Sequence, residues 1–301
     1  MGVVANTPKV YDLVASSVQV EQIATGCIFT EGPVWHPDGY LLFSDMPGDV
    51  RRKWSEDGGT VEVMKPANKC NGMTLDADLN LIVCEHWTSQ LVRARLNPDG
   101  TEASRETIAS HYEGKELNSP NDVIVASDGA IYFSDPTYGR MEGFGNPREQ
   151  ELDFQGVYRI PPGGGDLQLV ADGFDQPNGL CFSPDESILY INDSGALNIR
   201  AYDVQTGGTL ANARMLVDDA FETALCDGMK CDELGNIWVT GPGGILVFDA
   251  DGEHLGTVDV PEPTGNLTWG GPNWDVLYVP SSTSVYRFQT KVSGNRLAYM
   301  T

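Results

Sequence analysis

The chain has 301 residues with 19 basic and 43 acidic side chains, a formal net charge of −24 at neutral pH. This balance repels nucleic-acid phosphates and anionic lipid, so neither nucleic acid nor membrane is expected as a partner. Hydrophobic residues at 41% and charged ones at 21%, with 34 Gly and 18 Pro, indicate a folded, turn-rich chain and exclude global disorder.

Residues 1–9 carry no clear pattern and are expected to form a disordered tail, as are 292–301, leaving a single domain over 10–291. The chain shows neither a charged-then-apolar leader nor an apolar run of bilayer length, so a cytoplasmic protein is expected. Between Val10 and Phe29, apolar runs suggest one or two strands that could close a ring against VYRFQTK at 285–291.

From Glu31 onward one outline occurs six times: a polar head, an apolar strand, a tight turn and a second strand rich in β-branched and aromatic residues. The copies start EGPVW, NGMTL, NDVIV, NGLCF, DGMKC and NLTWG, with heads Glu31, Asn71, Asn121, Asn178, Asp227 and Asn266. The heads lie 39 to 57 residues apart, close to the length of a four-stranded propeller blade. No 3.6-residue periodicity is long enough to mark a helix. The expected fold is therefore all-β: a six-bladed β-propeller of four-stranded antiparallel blades around a central, metal-containing channel. An insertion at 136–154 follows the second strand of the third blade, and long loops on rigid scaffolds often carry binding groups. Cys27, Cys70, Cys84, Cys181, Cys226 and Cys231 form no CxxC pair and are read as reduced packing residues.

In a propeller the first residue of each inner strand faces the axis at one height, so the six heads converge. All six offer oxygen donors. Glu31 and Asp227 would repel in a narrow channel, and a divalent cation resolves the conflict. Carboxylate and amide oxygens without His or Cys select a hard ion, calcium first, then magnesium or manganese. Turn geometry alone accounts as readily for Asn71 and Asn266.

EGPVW, LNSPNDV, YFSDPTYG, QPNGLCFSPD and CDGMKCDELGNIWV, in this order across about residues 20–290, resemble the gluconolactonase, regucalcin (senescence marker protein) and luciferin-regenerating enzyme family. The bacterial gluconolactonase-like branch is the nearest match. The resemblance implies a propeller with one divalent metal that hydrolyses lactones of sugar acids, with Glu31, Asn121, Asn178 and Asp227 as metal ligands. Asn71 and Asn266 fall outside that ligand set. Ser119 stands where animal regucalcins carry a substrate-contacting arginine, which leaves the particular lactone open.

The expected reaction is opening of an aldonolactone, such as glucono- or xylonolactone, to its hydroxy acid. The metal polarises the carbonyl and Asp227 assists water as general base, with direct attack by Asp227 as the competing version. Zinc or iron are further options for the metal. His86, Tyr138 and Asn71 are the expected substrate contacts, and Trp87 and Trp269 could wall the pocket. His36, His111 and His254 fall in turns or loops and are expected to be exposed. A phosphotriesterase or other ester hydrolase on the same site, or a non-catalytic metal-plugged binding platform, are the alternatives. The expected partner is a small-molecule lactone, bound by a monomer or weak homo-oligomer. No GxSxG elbow supports a serine triad.

Overall fold

A computed structural model describes residues 2–218 and 225–295; the expected C-terminal tail lies outside the described residues from 296 onward. Six antiparallel sheets of four strands radiate from a central axis, one for each head, and the fifth gains an additional strand. The inner strands are Thr30–His36, Cys70–Leu75, Val123–Val125, Pro177–Phe182, Met229–Cys231 and Thr268–Gly270. Each pairs with the second strand of its own copy, as in Val34↔Leu42, Val123↔Phe133 and Leu180↔Ile191.

Second strands such as Tyr40–Asp45 and Leu81–Glu85 are buried at every position. A neighbouring blade covers each face, and for this reason these segments read as continuous apolar runs without alternation. The core is thus six wedges between adjacent blades. Val34, Leu42, Met73 and Val83 share the first, and Trp35, Phe43, Tyr278 and Val285 share the wedge that joins the last blade to the first.

The ring closes as the sequence suggests. Glu21–Ala24 adds to Ser284–Gln289 as the outermost strand of the sixth blade, with Gln22↔Tyr286 in register, and Arg287 Nε donates to Glu21 Oε2 at 2.7 Å. Two features differ from expectation. Val3–Ala5, inside the expected disordered tail, pairs with His254–Asp259 as a fifth strand, Val4↔Thr257. Val10–Leu13 forms a helical turn that buries Val10 and Leu13 in the wedge between the last two blades. Both are too short to carry a periodic signal; an exposed sheet edge and a waiting groove supply their partners.

Acidic residues at the ends of second strands anchor the segments that enter the inner strands. Asp45 accepts the Ile28 N–H, Asp135 accepts those of Asn118 and Ser119, and Asp193 accepts those of Asp175 and Gln176, all at 2.7–2.9 Å. Burial pushes the Asp135 carboxyl up to about 7, against the pull of its two backbone donors. All six cysteines are buried free thiols, as expected. Among the described residues no helix is long and apolar enough to cross a membrane.

Candidate active site

At four of the six copies a glycine follows the head, and its role is close approach to the next blade. The Gly72 N–H donates to Asn121 O at 2.8 Å and the Gly179 N–H to Asp227 O at 3.2 Å. A Cβ on Gly72 would lie 2.4 Å from Asn121 O, and one on Gly179 would lie 2.3 Å from Asp227 O. Head-to-head contact at that range admits no side chain, so the glycines draw the heads into a tight ring.

Above the ring sits a cavity of about 330 Å³. Its floor is Glu31, Asn71, Asn121, Asn178 and Asp227, and its walls include His86 and Tyr138. All seven expected site residues therefore line one space. Asn266 does not. Its Nδ2 donates to Glu31 Oε2 at 2.9 Å and its Oδ1 accepts the Leu267 N–H at 2.8 Å, which makes it a brace for Glu31.

Glu31 Oε2 also accepts the Gly32 N–H, whereas Oε1 finds no hydrogen-bond donor among the described residues. Burial, opposed by that backbone bond, raises the Glu31 carboxyl above its usual range, and Asp122 nearby adds to the rise. Asp227 lies well above its ordinary value, through burial first and then the charges of Glu31 and Asp122. Asn178 Oδ1 and Asn71 Oδ1 are buried without a hydrogen-bond partner. Two carboxylates that burial and neighbouring charge hold toward neutrality, beside orphaned amide oxygens, could hold a hard divalent cation. Among the described residues no group of three His, Cys, Asp or Glu side chains converges for a metal, so any such site draws half its donors from amides.

Two residues escaped sequence reasoning. Where four of the heads are followed by Gly, Asn121 is followed by Asp122, buried below the ring, whose Oδ2 lies 3.4 Å from Lys230 Nζ. The heads bring no basic residue, but Lys230 does, and it pulls the Glu31 carboxyl down. An acid at 122, in the place that glycine takes after four other heads, was the available signal.

His86 is fully buried. Its Nδ1–H donates to Phe144 O at 3.2 Å, so Nε2 is the acceptor for Asn71 Nδ2 at 3.1 Å. Burial pushes the ring down to about 4, which keeps it neutral at physiological pH. The Tyr138 phenol is pushed up, chiefly by burial and then by Asp227, and stays protonated. The 136–154 insertion folds over the pocket. Ser119 Oγ donates to Pro136 O at 2.6 Å and accepts the Gly139 N–H at 2.9 Å. Arg140 and Arg148 both bind Glu116 Oε2, at 3.0 and 2.8 Å. The insertion thereby brings Met141 and Phe144 to the cavity, where Phe29, Met46 and Leu225 complete an apolar rim that the heads alone do not reveal.

Trp269 is core, packed edge-on against Trp238 at 5.5 Å, and Trp87 is exposed outside the cavity lining. His111 is exposed as expected. His36 is buried against expectation and stacks on Tyr40 at 4.5 Å, and His254 is half-buried against Phe248. Each aromatic partner supplies a face that a turn position in sequence does not disclose.

Two buried acids beneath an apolar rim, at the axial mouth of a six-bladed propeller, define the class: a propeller with a single-ended central ligand pocket. Residues 29–283 match the SMP-30/Gluconolactonase/LRE-like region, and the chain belongs to that family. It is 34% identical to the gluconolactonase of Zymomonas mobilis, with 96% of this chain and 86% of that protein covered. The pentonolactonase XacC of Haloferax volcanii is 29% identical, over 86% of this chain and 84% of the relative. The solved structure of a gluconolactonase from Xanthomonas campestris superposes with a TM-score of 0.88 at 32% identity, covering 96% of this chain and 95% of that one. The chain is accordingly a hydrolase acting on lactones.

Proposed function

We propose that this lactonase opens an aldonolactone such as glucono- or xylonolactone with one divalent cation, calcium by preference, held by Glu31, Asn121, Asn178 and Asp227. The observation that carries the reading is the enclosure of the Glu31 and Asp227 carboxyls in one ring with the orphaned Asn178 Oδ1. When bound, the cation supplies Lewis acidity that polarises the lactone carbonyl and stabilises the oxyanion. With a cation in place, the Asp227 carboxylate would stay ionised.

The protein supplies the rest. Asp227 accepts a proton from the attacking water as the new C–O bond forms at the carbonyl carbon. The ring C–O bond breaks, and the proton passes to the departing ring oxygen to give the hydroxy acid. Tyr138, a neutral phenol, donates a hydrogen bond to the ring oxygen or a hydroxyl. Asn71, whose Nδ2 is engaged by His86, offers Oδ1 to a substrate hydroxyl. Both His86 nitrogens are occupied, so its contribution to binding is to hold Asn71. Ser119 is committed to the insertion, and among the described residues no Lys or Arg lines the cavity, which favours an uncharged lactone.

The test is acid release in a pH-stat from a lactone panel, with and without chelator, alongside elemental analysis of the protein. The expected result is metal-dependent hydrolysis that Asp227→Asn lowers about 10²- to 10⁴-fold. Acid release no faster than the spontaneous rate, or unaffected by chelation, overturns the metal-dependent reading. An Asp227→Asn protein that binds metal and retains its rate overturns the role of Asp227.

A further inference from the structure

We infer that the pocket also takes lactones bearing an apolar substituent, an alkyl chain on the lactone ring above all. This rests on the lactonase reading above and adds a substrate class to it. The cavity is divided by chemistry: oxygen donors occupy the floor, and Phe29, Met46, Met141, Phe144 and Leu225 form the rim. Met141, Phe144 and Leu225 are among the large hydrophobic side chains left exposed, at 53%, 39% and 55%. Such residues scattered singly need no explanation, but gathered at one mouth they mark a binding surface.

The rim is also built. Phe144 stands edge-on to Phe29 with ring centroids 6.4 Å apart, and its carbonyl accepts the His86 Nδ1–H. The segment carrying Met141 and Phe144 is tied to Glu116 by Arg140 and Arg148. The apolar groups are therefore presented by an anchored loop. With the carbonyl drawn to the floor, substituents on the opposite side of the lactone ring point toward this rim. A fully hydroxylated aldonolactone places hydroxyls there and leaves the apolar surface unmatched. An alkyl chain is removed from water by it, and the two unbranched thioethers adapt to different chain shapes.

The experiment compares unsubstituted δ-valerolactone with its 5-methyl, 5-propyl and 5-pentyl derivatives, and with glucono-δ-lactone, on calcium-loaded protein in a pH-stat. The expected result is a kcat/KM that rises about 2- to 4-fold per methylene along the alkyl series. In the Met141→Ser/Phe144→Ser variant the slope with chain length falls toward none, a ratio that does not depend on the amount of folded protein. A flat or falling wild-type series with glucono-δ-lactone hydrolysed overturns the inference and leaves the proposed function standing. A slope that survives in the variant overturns the assignment to this rim. Hydrolysis of no lactone of either kind overturns both readings together.

Discussion

Gly139 sits where the insertion meets the pocket wall, and Gly139→Ala tests whether that contact positions Tyr138. A Cβ at 139 would lie 2.5 Å from Ser119 Cβ and 2.7 Å from His86 Cβ, against about 3.5–4.0 Å for carbon atoms at rest. Ser119 and His86 are both fully buried and have nowhere to retreat, so the turn Tyr138–Arg140 must move outward by about 1 Å. Overpacking of this kind costs about 1–3 kcal/mol, and a shift of this size in a substrate-positioning group costs on the order of 10²-fold in rate. The expected variant melts a few degrees lower and loses about 10- to 100-fold in kcat on its best lactone. On the proposed reading, calcium affinity by calorimetry is unchanged, because the floor is untouched. Ser119→Gly in the same background removes the nearer clash and recovers part of the rate. An alanine variant that melts and turns over like the parent refutes the argument.

Glu31→Gln separates stability from binding. Burial holds the folded-state Glu31 carboxyl above its usual range, so ionising it costs stability as pH rises past the ordinary carboxylate value. Thermal melts in chelator should find the variant more stable than the parent at pH 8 and equal to it at pH 4, while the calcium-induced rise in Tm shrinks; a variant less stable at pH 8 contradicts this. Asp135, pushed from 3.8 to about 7, keeps in the fold a proton that the unfolded chain releases. Its stabilising contribution is complete below about pH 4 and is lost as pH rises to about 7, about 4 kcal/mol in all. Urea titrations of parent and Asp135→Asn at pH 4 and 8 should differ in pH dependence by that amount, and parallel curves would count against it. Deleting residues 2–24 removes both added edge strands and bares the Ser284–Gln289 edge. Light scattering should then report self-association, and a monodisperse, cooperatively melting product would show that the clasp is dispensable.

The blades were legible because each is a local unit: the head, the turn and the second strand lie within about fifteen residues, and their alternation is written in order. The gathering of Glu31, Asn71, Asn121, Asn178 and Asp227 around one cavity was legible for the same reason, since a repeated head position in a closed ring converges without further information. What could not be read depends on contacts between distant segments. Val3–Ala5 is a strand because His254–Asp259 leaves an edge. Met141 and Phe144 reach the apolar rim on a segment that Glu116 ties down through Arg140 and Arg148. The binding of Asn71 by His86 follows from the depth at which His86 is buried, and CEHW in isolation reads equally as an exposed loop.

The seam between the first and last blades also sets an order of assembly. Glu21–Ala24 leaves the ribosome early, but its partner Ser284–Gln289 is made roughly 260 residues later. Glu31 and its brace Asn266 are 235 residues apart and lie across the same seam. Throughout synthesis the first strand waits unpaired, and the floor of the pocket is an open arc. Only the nearly complete chain can seat Glu31 against Asn266, so the pocket floor is whole only once the ring has shut. A nascent or truncated propeller would present scattered acids with no cradle, so ligand binding in this pocket would report completion of the molecule.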